Sequence, residues 1–135
     1  MNCECVLSSA RGVFLLIPFG LLSACGERMQ APIATTVCEL PAYAQRMVQL
    51  DAEISVDRDG RTVIGDARCA TTKIELQLSA AATRAGAAEQ LEAAAQSATS
   101  SGKPSFSAKL TGVFTHATTG TYFIAESISG LPTTK

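Results

Sequence analysis

The chain contains no tryptophan, a single histidine (His116), and aromatic side chains at only 5% of its 135 residues. So little stacking surface argues against a single-stranded nucleic-acid binder, which needs aromatic platforms beside a basic groove. An excess of one charge sign is also missing. Eleven Lys and Arg face twelve Asp and Glu, for a formal net charge of -1. A pI near 5.8 leaves no electrostatic footprint for a phosphate backbone, so nucleic acid is not expected as a partner. Charged residues are 17% and hydrophobic residues 47%, which excludes a disordered acidic tail. No apolar run reaches the roughly 20 residues that cross a bilayer as a helix. At 14.0 kDa there is room for one domain, and multidomain enzymes are excluded. The sequence holds no G-x-S-x-G, no H-E-x-x-H and no Gly-rich phosphate loop. The expectation is a non-enzymatic protein without a cofactor.

What is present begins with a ten-residue apolar run, VFLLIPFGLL, over residues 13–22. That is about half a membrane span and the length of a signal-peptide h-region. Arg11 precedes it, partly offset by Glu4, and the small residues Ser23 and Ala24 follow it. The run ends in Leu22-Ser23-Ala24-Cys25. This tetrapeptide after an h-region resembles the lipobox of bacterial lipoproteins. The resemblance implies that residues 1–24 are a signal peptide, that the Cys25 thiol receives a diacylglycerol, and that the new amino group is acylated, with palmitate the expected chain. More than one chain is needed for stable anchoring, since each buried methylene adds only about 0.8 kcal/mol. Gly26 stands where an Asp would retain a lipoprotein in the inner membrane. By that analogy the expected place is the periplasmic face of the outer membrane in a diderm host.

Five cysteines are an awkward number for an exported protein. Removing Cys3 and Cys5 with the leader and lipidating Cys25 leaves Cys38 and Cys69, which can pair. In an oxidising compartment that disulfide closes a loop of about 30 residues, worth roughly 3 to 4 kcal/mol in the chain-entropy model. A thiol or metal pair is the alternative, yet there is no C-x-x-C and His116 is far away in sequence.

Residues 25–36 read as a lipidated tether, with Pro32 among small and polar residues, so the fold is expected to begin near Val37 and run to Leu131, followed by a tail at 132–135. From Val48 the chain alternates, with Val48, Leu50, Ala52 and Ile54 on one side, which predicts a half-buried strand. Asp59-Gly60 is a hairpin signal, and residues 61–66 return as a second strand. A third strand is expected over residues 73–78. Ser79 then caps one helix over residues 80–98, whose contact face is Arg84, Ala87, Ala88, Leu91, Ala94 and Ala95. Phe106 to Phe114 alternate as a fourth strand. Residues 122–128 form a fifth, where Tyr122, Ile124 and Ile128 share a face with Glu126 and so call for a bulge.

The order is strand, strand, strand, helix, strand, strand. It resembles the OB-fold, a five-stranded Greek-key barrel. Asp59-Gly60-Arg61-Thr62-Val63-Ile64-Gly65-Asp66 and Leu110-Thr111-Gly112-Val113-Phe114 are similar to stretches in small bacterial envelope proteins of this type. An α+β open-sheet sandwich is the alternative. The resemblance places binding along strands two and three, between the loops Asp57 to Gly60 and Ala117 to Gly120. In an envelope setting the partner would be a protein, peptide or glycan, beside the membrane reached through Cys25.

Two residue sets invite chemistry. Ser55, Asp57, Asp59, Gly60 and Asp66 fall at positions one, three, five, six and twelve of an EF-hand-like loop. Strands flank it, however, and Asp66 replaces the long bidentate Glu, so a hairpin turn with solvated carboxylates is expected and Asp57, Asp59 and Asp66 are only weak metal candidates. His116 could act as a general base, but no nucleophile or orienting carboxylate lies near it in sequence, and an exposed loop histidine is expected.

Overall fold

The computed structural model describes residues 30–132. The expected leader, Cys3, Cys5, the lipobox Cys25 and the first part of the tether lie outside the described residues.

The alternation from Val48 does become a strand. β2 (Met47–Val56) buries Val48, Leu50, Ala52 and Ile54 and turns Gln49, Asp51 and Glu53 outward. Through the turn at Asp57 it pairs antiparallel with β3 (Thr62–Gly65), which pairs with β4 (Ile74–Leu78). β4 then lies parallel to β6 (Gly120–Ser129), and β6 is antiparallel to β5 (Ser105–Ala117). The ladder closes because β5 returns to β2, from Met47 opposite Val113 to Ser55 opposite Ser105. Five strands thus form a closed barrel with the helical segment between the third and fourth, which is an OB-like topology. The β2–β5 closure excludes the open-sheet alternative.

The fold starts earlier than Val37. Ile33–Ala34, inside the expected tether, forms a short β1 that runs parallel to β2, with Ile33 opposite Val48. Propensity could not show this, because the pairing depends on a neighbour supplied by the fold. Next comes a 3-10 segment, Val37–Tyr43, whose Val37 and Leu40 are fully buried in the barrel core. The Gln45 amide donates to the Phe114 carbonyl at 2.9 Å, so this segment stoppers the end of the barrel where β2 begins.

The opposite end is covered by helix, though not by one helix. α1 (Ala80–Arg84) is capped as expected, with Ser79 Oγ accepting from the Ala82 amide at 3.1 Å. The chain then breaks at Gly86, whose φ of 81° is left-handed, and restarts as α2 (Ala87–Ser100). Glycine reaches that conformation at no steric cost, and here it splits the expected single helix. The contact face shifts accordingly: Ala87, Ala94 and Ala98 are buried, Leu91 is half-buried, and Arg84 and Ala88 face solvent.

β6 resolves the ambiguous fifth strand with the bulge its pattern required. Thr111 is opposite Ser127 but Gly112 is opposite Ala125, so Glu126 is the extra residue. Phe123 and Ala125 point inward, Tyr122 and Ile124 outward, and past the bulge Ile128 packs on the core again. At this place the strands approach very closely. A Cβ on Gly112 would meet the Ile124 carbonyl oxygen and stand 2.9 Å from Ala125 Cα, so only glycine fits. The Cys38–Cys69 disulfide fastens the 3-10 stopper to a second 3-10 turn, Ala67–Cys69, with Cα atoms 5.8 Å apart across a separation of 31 residues.

Two stability outcomes follow from these contacts. Gly112→Ala forces backbone apart between β5 and β6 and is expected to cost about 3 kcal/mol, read as a lower midpoint in guanidinium denaturation. Replacing Cys38 and Cys69 together by Ser is expected to cost about 3.5 kcal/mol by loop-closure entropy, while the far-ultraviolet dichroism of the barrel persists.

Candidate functional site

The hairpin between β2 and β3 is built by its own carboxylate. Asp57 Oδ1 accepts from the amides of Asp59 and Arg61, each at 2.9 Å, and Gly60 takes φ 80° to complete the turn. This is an Asx-type turn, in which the side chain stands in for a backbone acceptor. Asp66 is not in the loop at all. It lies beyond β3, about 13 Å of strand rise from Thr62, and caps the 3-10 turn Ala67–Cys69 by accepting from the Arg68 amide at 2.9 Å. Ser55 belongs to β2. The EF-hand-like spacing is therefore pulled apart by an intervening strand. No group of three or more His, Cys, Asp or Glu able to hold a metal gathers among the described residues.

Asp66 has a strong partner instead. Both its oxygens accept from the Arg68 guanidinium, at 2.5 Å for Oδ2, and this hydrogen bond, with the backbone one, lowers its pKa from 3.8 to about 2. The Asp66 side chain is 10% exposed and Arg68 is 68% exposed. The pair flanks Cys69 and holds the loop that carries the disulfide.

His116 is strand rather than loop, near the end of β5 beside the turn into β6. Its ring stands edge-on to Phe114, with centroids 4.9 Å apart at 80°, and its Nδ1 is 3.3 Å from the Thr121 hydroxyl. That arrangement seats the imidazole against the core aromatic and supplies neither a carboxylate to orient it nor a thiol or serine to activate.

The OB face along β3 and β4 carries an Arg61–Glu75 ion pair at 3.8 Å, with side chains 63% and 31% exposed. Tyr122, opposite Glu75 on the neighbouring strand, donates from its hydroxyl to Thr119 in the loop between β5 and β6 at 2.9 Å. The expected loops do flank this face, but it presents one tyrosine and paired charges rather than an aromatic platform.

Compared with known proteins, the chain matches no family model, no curated protein and no solved structure.

The concave feature that the sequence did not announce lies between α2 and the barrel mouth. This apolar cleft of about 400 Å³ is lined by Ile54, Val56, Leu76, Leu78, Leu91 and Phe106. Val56 at its rim is 53% exposed. The cleft exists because the helix meets the barrel with alanines, which cannot fill the space that Leu91 fills at one point. The alanine-rich face of the helix was the available signal. A smaller cleft of about 260 Å³, with Glu53, Ser55, Thr72 and Lys73 in its wall, lies outside β3, and its Glu53 carboxylate already accepts from Ser105 Oγ.

The depressed Asp66 pKa carries a pH consequence. A carboxylate held below its ordinary value stabilises the fold above the unfolded value and loses that contribution as pH falls through the folded one. Asp66→Asn is expected to be less stable than wild type at neutral pH, with the gap narrowing as pH falls from 3.8 toward 2. Thermal melts across that range read it, and a gap that stays constant would contradict the assignment.

Proposed function

We propose that this protein is a non-enzymatic, lipid-anchored component of the bacterial envelope whose OB-like barrel serves as a binding or structural interaction module. The carrying observation is the Cys38–Cys69 pair. It stands at disulfide geometry across a loop of 31 residues, as an oxidising compartment permits. That pairing leaves Cys25, at the end of the lipobox, as the thiol free for acylation once the leader is cut. The reading gains from the economy of the polar groups, since Asp57, Asp66, Ser79 and Glu126 all serve turns, caps and cross-links. A binding role is favoured by the apolar cleft under α2, which suits an apolar segment of an envelope protein or peptide better than a glycan. Fold alone does not give function, and the barrel enters as the scaffold that presents these surfaces.

The deciding measurement is the intact mass of the chain expressed in a bacterial host, taken with and without reductant. The expected species begins at Cys25, carries acyl chains, and gains a pair of hydrogens on reduction. Cys25→Ser is expected to abolish the acyl mass and move the protein from the membrane to the soluble fraction. A full-length, unacylated chain with free thiols would refute the assignment.

A further inference from the structure

Cross-strand register places an apolar row on the outside of the barrel. Met47 on β2 is opposite Val113 on β5, Val113 is opposite Ile124 on β6, and Ile124 is opposite Gln77 on β4. Each of these positions alternates with an inward residue: Val48 with Met47, Gly112 and Phe114 with Val113, Phe123 and Ala125 with Ile124. Met47 is 39% exposed, and Val113 and Ile124 are half-buried by their strand neighbours but face out. The rows on either side are polar. Gln45 donates to Thr115 at 2.7 Å on one side, beside Tyr122, and Gln49 donates to Thr111 at 3.3 Å on the other. Met47, Val113 and Ile124 thus form an apolar line on the outer surface, bounded by polar rows.

The tether says what this surface meets. β1 delivers the chain beside the start of β2, with Ile33 opposite Val48, the residue next to Met47. Residues 26–32 separate Cys25 from Ile33, and these eight steps reach at most about 29 Å when fully extended. Resting on the lipidation reading above, we infer that the Met47–Val113–Ile124 face lies against the surface of the membrane in which Cys25 is anchored. The chemistry of the rim suits an interface. Tyr122 in the next row has an apolar ring and a polar tip, and Arg46, exposed beside Met47, has an aliphatic stem that can lie along the lipid while its head stays wet. Glu75, the carboxylate opposite Tyr122, is paired with Arg61. A barrel tied down by a short tether contacts lipid through weak, repeated burial of this row, with the acyl chains holding it at the surface.

The experiment uses the full lipoprotein, purified from the host and reconstituted into phosphatidylcholine vesicles carrying nitroxide head groups. With the leader gone, Cys25 acylated and Cys38 bonded to Cys69, an introduced cysteine is the one free thiol for a fluorophore. Labels at Val113→Cys and at the already exposed Met47→Cys are expected to lose most of their emission to the nitroxide lipid. A label at Glu92→Cys, on α2 beside the cleft, is expected to lose little. If Met47→Cys and Glu92→Cys are quenched alike while the mass shows acyl chains, the face assignment falls and the lipoprotein reading stands. A mass without acyl chains removes that reading and the tether argument together. A labelled row shielded in detergent, in a particle twice the monomer mass, would assign the face to a second copy and overturn the lipid contact.

Discussion

The structure depends on one ladder, the antiparallel pairing of β2 with β5 that closes the barrel. It runs from Met47 and Val113 to Ser55 and Ser105, and without it the remaining strands are an open sheet with unpaired edges. Closure imposes costs that the sequence meets locally. A strand as long as β5 serves both β2 and β6, and its ladder to β6 shifts register where Gly112 lets the backbones touch and Glu126 bulges out of the facing strand. Closure also creates two open ends. The 3-10 segment at Val37–Tyr43 fills one with Val37 and Leu40, and α2 covers the other with alanines.

Those two stoppers differ in quality, and the difference matters for what the molecule can bind. Val37 and Leu40 are fully buried, and the disulfide holds their segment against the Ala67–Cys69 turn. The alanine face of α2 makes a looser lid and leaves the cleft beneath Leu91. Buried positions among the described residues are all apolar, with no buried polar or charged side chain. The interior is thus committed to stability, and interaction is left to the outer rows, the cleft and the chain before Ile33.

How much of this the sequence disclosed follows the range of the forces involved. Strand β2, the Asp57 to Gly60 turn, the Ser79 cap and the bulge opposite Thr111 were legible because alternation, turn chemistry and capping act between near neighbours. The cysteine pair was legible by arithmetic, once Cys25 was set aside by its resemblance to a lipobox cysteine. The pairing of Ile33 with Val48 and the burial of Val37 and Leu40 were not, because each depends on a distant surface that exists only after closure. The helix break at Gly86 was not legible as a break, since helix propensity costs glycine only about 1 kcal/mol and leaves packing to decide. Among the candidate site residues, Asp57 and Asp59 sit in the expected hairpin turn while Asp66 stands beyond β3, because linear spacing means a shared loop only when no strand runs through it.

The two large apolar side chains that stand exposed among the described residues, Met47 and Val56, are the first and last residues of the same strand. That strand rises about 30 Å between them, so they mark opposite poles of the barrel. Val56 rims the cleft under α2, whereas Met47 begins the outer row beside β1. In the proposed arrangement the lipid surface takes the Met47 pole. The two surfaces draw together across the barrel, because Ile124 at the other end of that row lies opposite Gln77, between the cleft residues Leu76 and Leu78. A single strand thereby sets both the closure of the barrel and the distance between its two exposed apolar ends, and any insertion that lengthened β2 would alter the two together.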